Sequence, residues 1–389
     1  MRDSRGLEPG DTETTARRRD LVLVTAGLGL DGGGRALVGR LLARAAAEYA
    51  GERGIGFRIL ELSGGAGPEV SATPPGIEVR RFSGRRGALA RTVWATQLRR
   101  PAPALLFDLL GMARAQVLLP RSFRAPYLVW VHGIEVWRPL GGLRRRALAR
   151  ADRVLASSAQ TLERAEPFLP ALSSPPAPLH LALESRPLVG EADAGVLERA
   201  GHGFVLTVGR MSASERYKGH DELIESWPRV LEREPGARLV VAGGGDDRPR
   251  LEAKAHSAGL ADWILFTGFV SEATLGGLYE RAALFALPSR GEGFGLVFLE
   301  AMRAGLPCVA LAGTAAQEVV EAGRTGLLVD SDATRNLVGG LAAAVASLLG
   351  APERARALGE AGRERWRRAF GYDRFLAALT PHLDALTAP

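Results

Sequence analysis

Residues 284–310 read LFALPSRGEGFGLVFLEAMRAGLPCVA. The apolar run Leu284–Leu287 has the length and character of a buried strand. Pro288 ends it, and glycines follow at 291, 293 and 295. Leu296–Arg303 then carries helical periodicity, and Pro307–Leu311 is a second apolar run. Strand, turn, helix and strand in this order make one βαβ unit, which places two parallel strands in one sheet. Gly291, Gly293 and Gly295 let the backbone approach a ligand closely. The helix that follows presents its positive end, suited to phosphate or sugar oxygens. Glu292 stands in the loop. Glu300 lies eight residues on, inside the helix, with a carboxylate able to accept from a ribose diol. The alternative is a Gly-rich turn with two surface glutamates.

A second segment of the same kind lies upstream. VLTVGRMSASERYKGHDELIESW, residues 205–227, runs from a strand into an amphipathic helix. Arg210 ends the strand and Lys218 precedes the helix. Two cations around a helix N-terminus make a clamp for a diphosphate by electrostatics alone; solvated surface charge is the alternative. Arg216 and His220 are neighbours of lower rank.

Apolar runs alternate with helix-period segments along the whole chain, the pattern of two parallel α/β sheets. In the first half the strands are expected at Leu21–Ala26, Phe57–Leu62, Ile77–Phe82, Ala104–Phe107, Tyr127–His132 and Arg153–Ser157, with helices such as Arg35–Ala50 and Ala88–Arg99. Six prolines between Pro167 and Pro187 break regular structure and mark a boundary. The second half restarts with strands at Phe204–Val208, Arg238–Ala242, Ile264–Thr267, Leu284–Leu287, Pro307–Leu311 and Gly326–Val329. Its helices are expected at Asp221–Arg233, Pro249–Ala258, Glu272–Ala282, Leu296–Arg303 and Ala316–Ala322, with Leu337–Leu349 and Pro352–Phe370 closing the chain. Ligands of such sheets bind beyond the strand C-termini, where the strand order reverses. Two such rows of loops facing each other enclose a cleft.

The Gly-loop segment resembles the Glu-x7-Glu signature of retaining glycosyltransferases of the GT-B fold, especially glycosyltransferase family 4. The resemblance covers about residues 20–380 and is strongest from 204 to 330. It implies that Glu292 contacts the transferred sugar and Glu300 holds the donor ribose. Backbone amides around Gly293, Phe294, Gly295 and Leu296 would face sugar and phosphate. Arg210 and Lys218 take the family's Arg and Lys positions on the diphosphate, beside Gly209. VVAGGGDDRPRLE resembles the family's strand-and-loop segment in which Gly243 passes the nucleotide. LFTGFVSEATLGG resembles the base-pocket segment, with Gly268 at the strand end and the backbone near Val270 reading the base edge. AGTAAQEVVEAG stands where the family has GGxPE; the proline and second glycine are missing, and Glu318 keeps the acidic place, with a charge at a helix N-terminus as the alternative account.

In the first half, Gly32, Gly33 and Gly34 resemble the family's double glycine near donor phosphate and acceptor. A flexible turn is the alternative. His132 ends the strand in YLVWVHGIEVW, where the family often has a histidine on the donor sugar; a strand-end histidine satisfied by the backbone is the alternative. RERWRRAFGYDRF resembles the family's returning C-terminal stretch, with Trp366, Phe370 and Tyr372 at the interdomain joint. The expected fold is therefore α/β, GT-B, with two Rossmann-like domains facing across a cleft and a C-terminal helix crossing back to the first. The expected division is a disordered leader over 1–19, an acceptor domain over 20–185, a linker over 186–202, a nucleotide-sugar domain over 203–365, and the returning helix over 366–389.

The resemblance implies a retaining hexosyltransferase that moves sugar from a UDP- or GDP-type donor to a glycan, lipid-linked or small-molecule acceptor. Polysaccharide, glycolipid or glycoconjugate synthesis is the expected setting. No cofactor and no metal site is expected, since the histidines lack metal-ligand spacing. The enzymatic alternatives are a GT-B epimerase or a phosphorylase. A phosphorylase needs pyridoxal phosphate on a lysine, and Lys218 and Lys254 are the only lysines.

Bulk composition agrees. The 389 residues suffice for about two domains. One cysteine, Cys308, excludes a disulfide framework; its apolar surroundings point to a buried structural thiol. No apolar run reaches the roughly 18 residues needed to span a bilayer. The polar N-terminus lacks the apolar core of a secretion signal. The expected location is cytoplasmic, with peripheral contact at the inner face of a membrane as an option. Net charge is +7, and residues 1–200 hold 29 basic against 20 acidic side chains, the whole excess. Such a surface attracts nucleic acid, anionic lipid or anionic small molecules. A basic nucleic-acid-associated protein is the rival class, but no zinc finger or RNA-binding signature is present, and nucleic acid is not an expected partner.

Overall fold

The computed structural model of the protein describes residues 18–29, 33–63, 75–183, 190–330 and 336–389. The leader expected over 1–19 lies outside these except for Arg18 and Arg19, and Gly32 also falls outside. Arg19 is held by its backbone N–H on Thr387 O at 2.9 Å.

The first sheet contains β1 (Leu21–Thr25), β2 (Phe57–Glu61), β3 (Glu78–Arg81), β4 (Ala104–Phe107), β5 (Tyr127–Val131), β6 (Arg153–Ala156) and β7 (Ala177–Pro178). Between them run α1 (Gly33–Arg53), α2 (Arg86–Gln97), α3 (Leu110–Ala113), α4 (Gly142–Ala149) and α5 (Ala159–Ala165). The strand order is β3-β2-β1-β4-β5-β6-β7, and every pair is parallel. β1, β4 and β5 are buried along their whole length, as expected of strands covered by helices on both faces.

After α6 (Ala194–Ala200) comes the second sheet: β8 (Phe204–Val208), β9 (Leu239–Ala242), β10 (Ile264–Gly268), β11 (Ala282–Ala286), β12 (Cys308–Leu311) and β13 (Gly326–Val329). Its helices are α7 (His220–Leu231), α8 (Arg248–Ser257), α9 (Glu272–Arg281), α10 (Leu296–Ala304), α11 (Ala316–Val319) and α12 (Leu337–Leu349). The order is β10-β9-β8-β11-β12-β13, again all parallel. Both sheets thus reverse direction next to their first strand, between β1 and β4 and between β8 and β11. The α/β GT-B expectation of two Rossmann-like sheets holds.

Local details differ from the sequence reading. Gly33 and Gly34, taken as loop residues, form the first turn of α1. The proline-rich stretch is not wholly irregular: it holds β7, and beyond its last proline comes α6. Asp193 caps α6 by accepting from Val196 N at 3.0 Å. Leu197 of this helix packs so closely on Gly277 of α9 that a Cβ there would meet it at 3.0 Å. α11 stops at Val319 because Ala322 pairs with Gly326 as a bridge leading into β13.

The chain ends in α13 (Pro352–Ala369) and α14 (Tyr372–Thr387). α14 returns to the first sheet. Tyr49 of α1 bonds Thr387 Oγ1 at 2.7 Å and Asp384 at 3.0 Å, and Tyr372 donates to Glu48 at 2.7 Å. Phe375 lies 6.0 Å, ring to ring, from Trp130 of β5. Trp366 donates to Leu183 O at 3.0 Å, and Phe370 packs edge-on against Phe294. The three aromatics assigned to the joint therefore sit in it. Cys308 is fully buried, and burial pushes its thiol well above the ordinary range, so it is inert.

Candidate functional site

Strand order decides where the site lies. β8 and β11 flank the reversal point of the second sheet, and both run straight into the loops that the sequence singled out. β8 ends at Val208 and delivers Gly209, Arg210 and Lys218 before α7. β11 ends at Ala286 and delivers Glu292, Gly293 and Phe294 before α10. The residues just before these helices, Gly219 and Gly295, are left-handed, with φ of 82° and 92°. Glycine adopts that conformation without the Cβ clash that strains other residues. The two loops are tied together: Arg290 N donates to Tyr217 O at 2.8 Å, and Arg290 Nη1 pairs with Glu222 at 2.5 Å. Two helix N-termini consequently lie side by side, and their dipoles favour an anion beyond them.

The predicted residues form a chain of contacts. Gly243 N donates to Gly268 O at 2.9 Å, and Gly209 N to Ala242 O at 3.0 Å. Gly209 packs beneath the Lys218 stem and the His220 ring. Lys218 Nζ donates to Glu292 Oε1 at 2.8 Å, with the side chains 17% and 14% exposed. Gly293 lies against the carbonyl of His132, so close that a Cβ would collide with it. Gly34 of α1 faces Leu296, where a Cβ would stand 3.8 Å from Leu296 Cδ1. Residues from both domains thus meet around one loop.

Other predicted residues are placed more loosely. Arg210 points outward, 60% exposed, and pairs with Glu215 at 2.9 Å. Glu300 accepts from Tyr279 OH at 2.9 Å, one turn into α10. Val270 follows β10 and is half-buried against the core. Phe294 is 3% exposed, so its ring is not available to a ligand. His132 Nε2 donates to Asp108 O at 2.7 Å, and its backbone N–H donates to Glu135 at 2.6 Å. Its other ring nitrogen, Nδ1, faces Ser157 Oγ at 3.4 Å. Among the described residues no group of three or more His, Cys, Asp or Glu side chains is placed to hold a metal.

Arg216 is fixed elsewhere, bonding Asp247 at 3.0 and 3.2 Å. Asp247 shares Arg250 with Asp221, which also accepts from Lys254 at 2.6 Å. The Arg250 hydrogen bond holds the Asp221 carboxyl below the usual carboxylate range. This network braces the loop after β9 against α7.

Three features were missed by sequence reasoning. The first is His220, ranked low beside Lys218. It is 5% exposed, and its Nε2 has no hydrogen-bond partner among the described residues. Burial, then the charge of Lys218, push its imidazole down to about 4. An unfolded histidine takes its proton near 6.5, so between about pH 6.5 and 4 only the unfolded chain is protonated here. This site therefore lowers stability as pH falls through that window, by up to about 1.4 kcal/mol per pH unit, and contributes no pH dependence above it. Urea unfolding of the wild type and His220→Leu at pH 7, 6 and 5 checks this. The stability difference between the two is expected to shift steadily toward the variant as pH falls; a constant difference contradicts it.

The second is Glu318. Its carboxylate does not serve its own short helix. It accepts from Ala159 N at 3.0 Å and Gln160 N at 2.8 Å, the first turn of α5 in the other domain, and from His180 at 2.8 Å. These bonds outweigh its burial and hold its carboxyl below the usual range. The third is the hydroxyl pair Ser158 and Thr161, both buried, which donate to Gly293 O at 2.7 and 3.1 Å. The sequence signal for Ser158 is its N-cap position after β6, which explains a local bond but not a contact 135 residues away.

With this geometry in place, known proteins can be set beside it. Residues 203–350 match the model of the family described as Glycosyl transferases group 1. A GDP-mannose-dependent alpha-(1-6)-phosphatidylinositol monomannoside mannosyltransferase of Mycobacterium tuberculosis is 39% identical over 173 residues, 43% of this chain. The match spans 44% of that relative, less than half its length. Sucrose-phosphate synthase from Thermosynechococcus elongatus has a similar fold, with a TM-score of 0.74 at 22% identity, covering 95% of this chain and all of that one. Anabaena HepE, solved in complex with UDP and glucose, gives a TM-score of 0.70 at 18% identity, covering 94% of this chain and all of that one.

Proposed function

From a GT-B fold whose second domain carries a group 1 glycosyltransferase match, we propose a glycosyltransferase that moves a sugar from a nucleoside diphosphate sugar to an acceptor hydroxyl with retention of configuration. The observation that carries this is the Lys218–Glu292 pair at 2.8 Å, which joins the diphosphate clamp to the sugar-facing loop. The second domain, residues 203–365, holds the donor; the first, residues 20–185, holds a glycan, lipid-linked or small-molecule acceptor. The donor is of UDP or GDP type.

Gly209, Gly243, Gly268 and Val270 supply backbone along the nucleotide. Arg210 and Lys218 face the diphosphate. The Arg210–Glu215 bridge is at the surface and worth about 1 kcal/mol or less, so an incoming diphosphate can take the guanidinium. His132 and Glu292 flank the sugar, and the amides of Gly293, Phe294, Gly295 and Leu296 face its oxygens. Gly33 and Gly34 open α1 beside Leu296. In the reaction the bond between the sugar C1 and the phosphate oxygen breaks, its electron pair leaving with the diphosphate. The acceptor oxygen forms a new bond to C1 on the same face. Its proton passes to the departing phosphate oxygen, and Arg210 and Lys218 balance the developing charge. Proton NMR of the first product formed from a donor of known anomer tests this: a retained linkage is expected, and an inverted one contradicts the route.

Glu300 lies one turn beyond the loop, oriented by Tyr279 OH, and is assigned to the donor ribose. Glu300→Gln is expected to weaken UDP or GDP binding about tenfold, the loss of one charge-assisted hydrogen bond. Titration calorimetry checks it, and unchanged affinity removes the assignment.

The basic first domain is proposed to rest on an anionic membrane. Leu98, Leu118, Phe123 and Leu143 are four of its five large exposed apolar side chains among the described residues, Ile134 being the fifth, and the exposed arginines include Arg99, Arg100, Arg114, Arg144, Arg145 and Arg146. The elements bearing them are packed together, with Trp94 donating to Ala115 O at 2.8 Å and Arg150 to Val117 O at 3.0 Å. Among the described residues no helix is long and apolar enough to cross a membrane. Each arginine near an anionic surface contributes about 1 kcal/mol, screened by salt. Co-sedimentation with anionic vesicles at low salt and its loss at high salt are expected. Equal binding to neutral vesicles, or none, contradicts the proposal.

A further inference from the structure

The loop assigned to the sugar is built on one domain and held by the other. Its Gly293 carbonyl points into the first domain and accepts from Ser158 Oγ at 2.7 Å and Thr161 Oγ1 at 3.1 Å. Ser158 is itself fixed as the N-cap of α5, accepting from Thr161 N at 3.0 Å. Thr161 N–H donates to Ser158 Oγ, the Ser158 proton is shared between Gly293 O and Thr161 Oγ1, 2.9 Å away, and the Thr161 hydroxyl proton goes to the same carbonyl. The next residue, Phe294, stacks on His180 of the first domain with ring centroids 5.4 Å apart and planes at 29°. His180 is held by Glu318, which also binds the first turn of α5. Gly293 has no room for a side chain against His132 O. One side of the loop, Gly293 and Phe294, is thus clamped by first-domain groups. The adjoining residue, Glu292, reaches back to Lys218 of the second domain.

We propose that Ser158 and Thr161 are positioning residues for Glu292, coupling the docking of the two domains to the placement of the catalytic carboxylate. This rests on the assignment of Glu292 to the sugar. Both hydroxyls are buried and bonded to the Gly293 carbonyl and to each other. The pair fixes the peptide carbonyl directly after Glu292, so its removal frees the loop by fractions of an ångström without altering the nucleotide contacts. Misplacement of reacting groups on that scale slows chemistry far more than it weakens binding.

Two variants separate this role from helix capping and folding. Thr161→Val keeps the shape and removes one donor. Ser158→Gly removes the hydroxyl at little cost to the cap, because glycine is tolerated at the N-cap, and leaves no proton for Gly293 O. Thr161→Ser restores the hydroxyl. Release of UDP from UDP-glucose and of GDP from GDP-mannose gives kcat, calorimetry with UDP and GDP gives Kd, and thermal unfolding gives Tm. The expected result is a kcat lowered about ten- to a hundredfold in Thr161→Val and Ser158→Gly, with Kd within twofold, Tm near wild type, and kcat restored in Thr161→Ser. Unchanged kcat in both variants overturns the proposal, as does a fall in kcat matched by an equal loss of nucleotide affinity. Glu292→Gln, measured in parallel, tells the two levels apart. If it is inactive while the hydroxyl variants are fully active, only the positioning role fails. If it is active, the underlying assignment of Glu292 fails.

Discussion

Glu292→Gln lowers sugar transfer about a thousandfold, to the assay background, the upper range for removing one preorganised polar group at a reacting centre, while UDP or GDP binding stays within a few fold of wild type. The expectation comes from where the carboxylate sits. It is 14% exposed in the loop between β11 and α10, where Lys218 Nζ donates to it at 2.8 Å. The substitution is nearly isosteric. The glutamine oxygen still accepts from Lys218, so the loop keeps its shape and the clamp keeps its lysine. What is lost is the negative charge beside the sugar. The nucleotide contacts proposed along Gly209, Gly243 and Gly268 are left untouched. Initial rates with UDP-glucose and GDP-mannose, with calorimetry on the same preparation, separate rate from binding. Turnover at the wild-type rate contradicts the assignment.

Arg210→Ala and Lys218→Ala each raise the transfer barrier by about 2–4 kcal/mol, the loss of one preorganised charge aimed at a developing anion; that is about thirty- to a thousandfold in kcat/KM. The two differ in what they do to the fold. Arg210 is 60% exposed, and its bridge to Glu215 is a surface pair, so its removal changes stability by about 1 kcal/mol or less. Lys218 is mostly buried against Glu292, and its removal leaves that carboxylate without its cation. Lys218→Ala therefore lowers stability as well as rate. Lys218→Ala combined with Glu292→Gln costs less than the two added together, because they share one interaction. A near-native rate in the Arg210, Lys218 double alanine variant without added metal places the clamp elsewhere.

Much of this arrangement was legible in the sequence because it is local. A strand, a glycine loop and a helix start within about ten residues carry their own periodicity and breaks, and such units fix a parallel sheet. That is why the βαβ reading of residues 284–310 placed Glu292 and Glu300 on the correct loop and helix. Parallel strand order then brought Lys218 to Glu292, 74 residues away, without any local signal for the pair.

The rest was not legible, for physical reasons. Nothing in the sequence singled out Ser158 and Thr161, and their bonds to Gly293 exist only because two domains dock. Glu318 has the place of an acidic family residue but caps a helix in the other domain. The proline-dense boundary disguised α6, although Asp193 before AGVLERA is a capping signal. Gly33 and Gly34 read as loop because glycine is a poor helix former; packing of α1 on its sheet and on α14 overrides that preference. His220 shows how burial, invisible in a sequence, turns a residue with an ordinary titration into one that stays neutral.

The central claim is that the second domain binds a nucleoside diphosphate sugar. Thermal unfolding with UDP, GDP, UDP-glucose, GDP-mannose and a duplex DNA tests it most directly. The expected result is a rise in Tm with one nucleotide and its sugar, diminished in Arg210→Ala and Glu300→Gln, and no rise with DNA. A rise with DNA alone, or none with any nucleotide or nucleotide sugar, contradicts it.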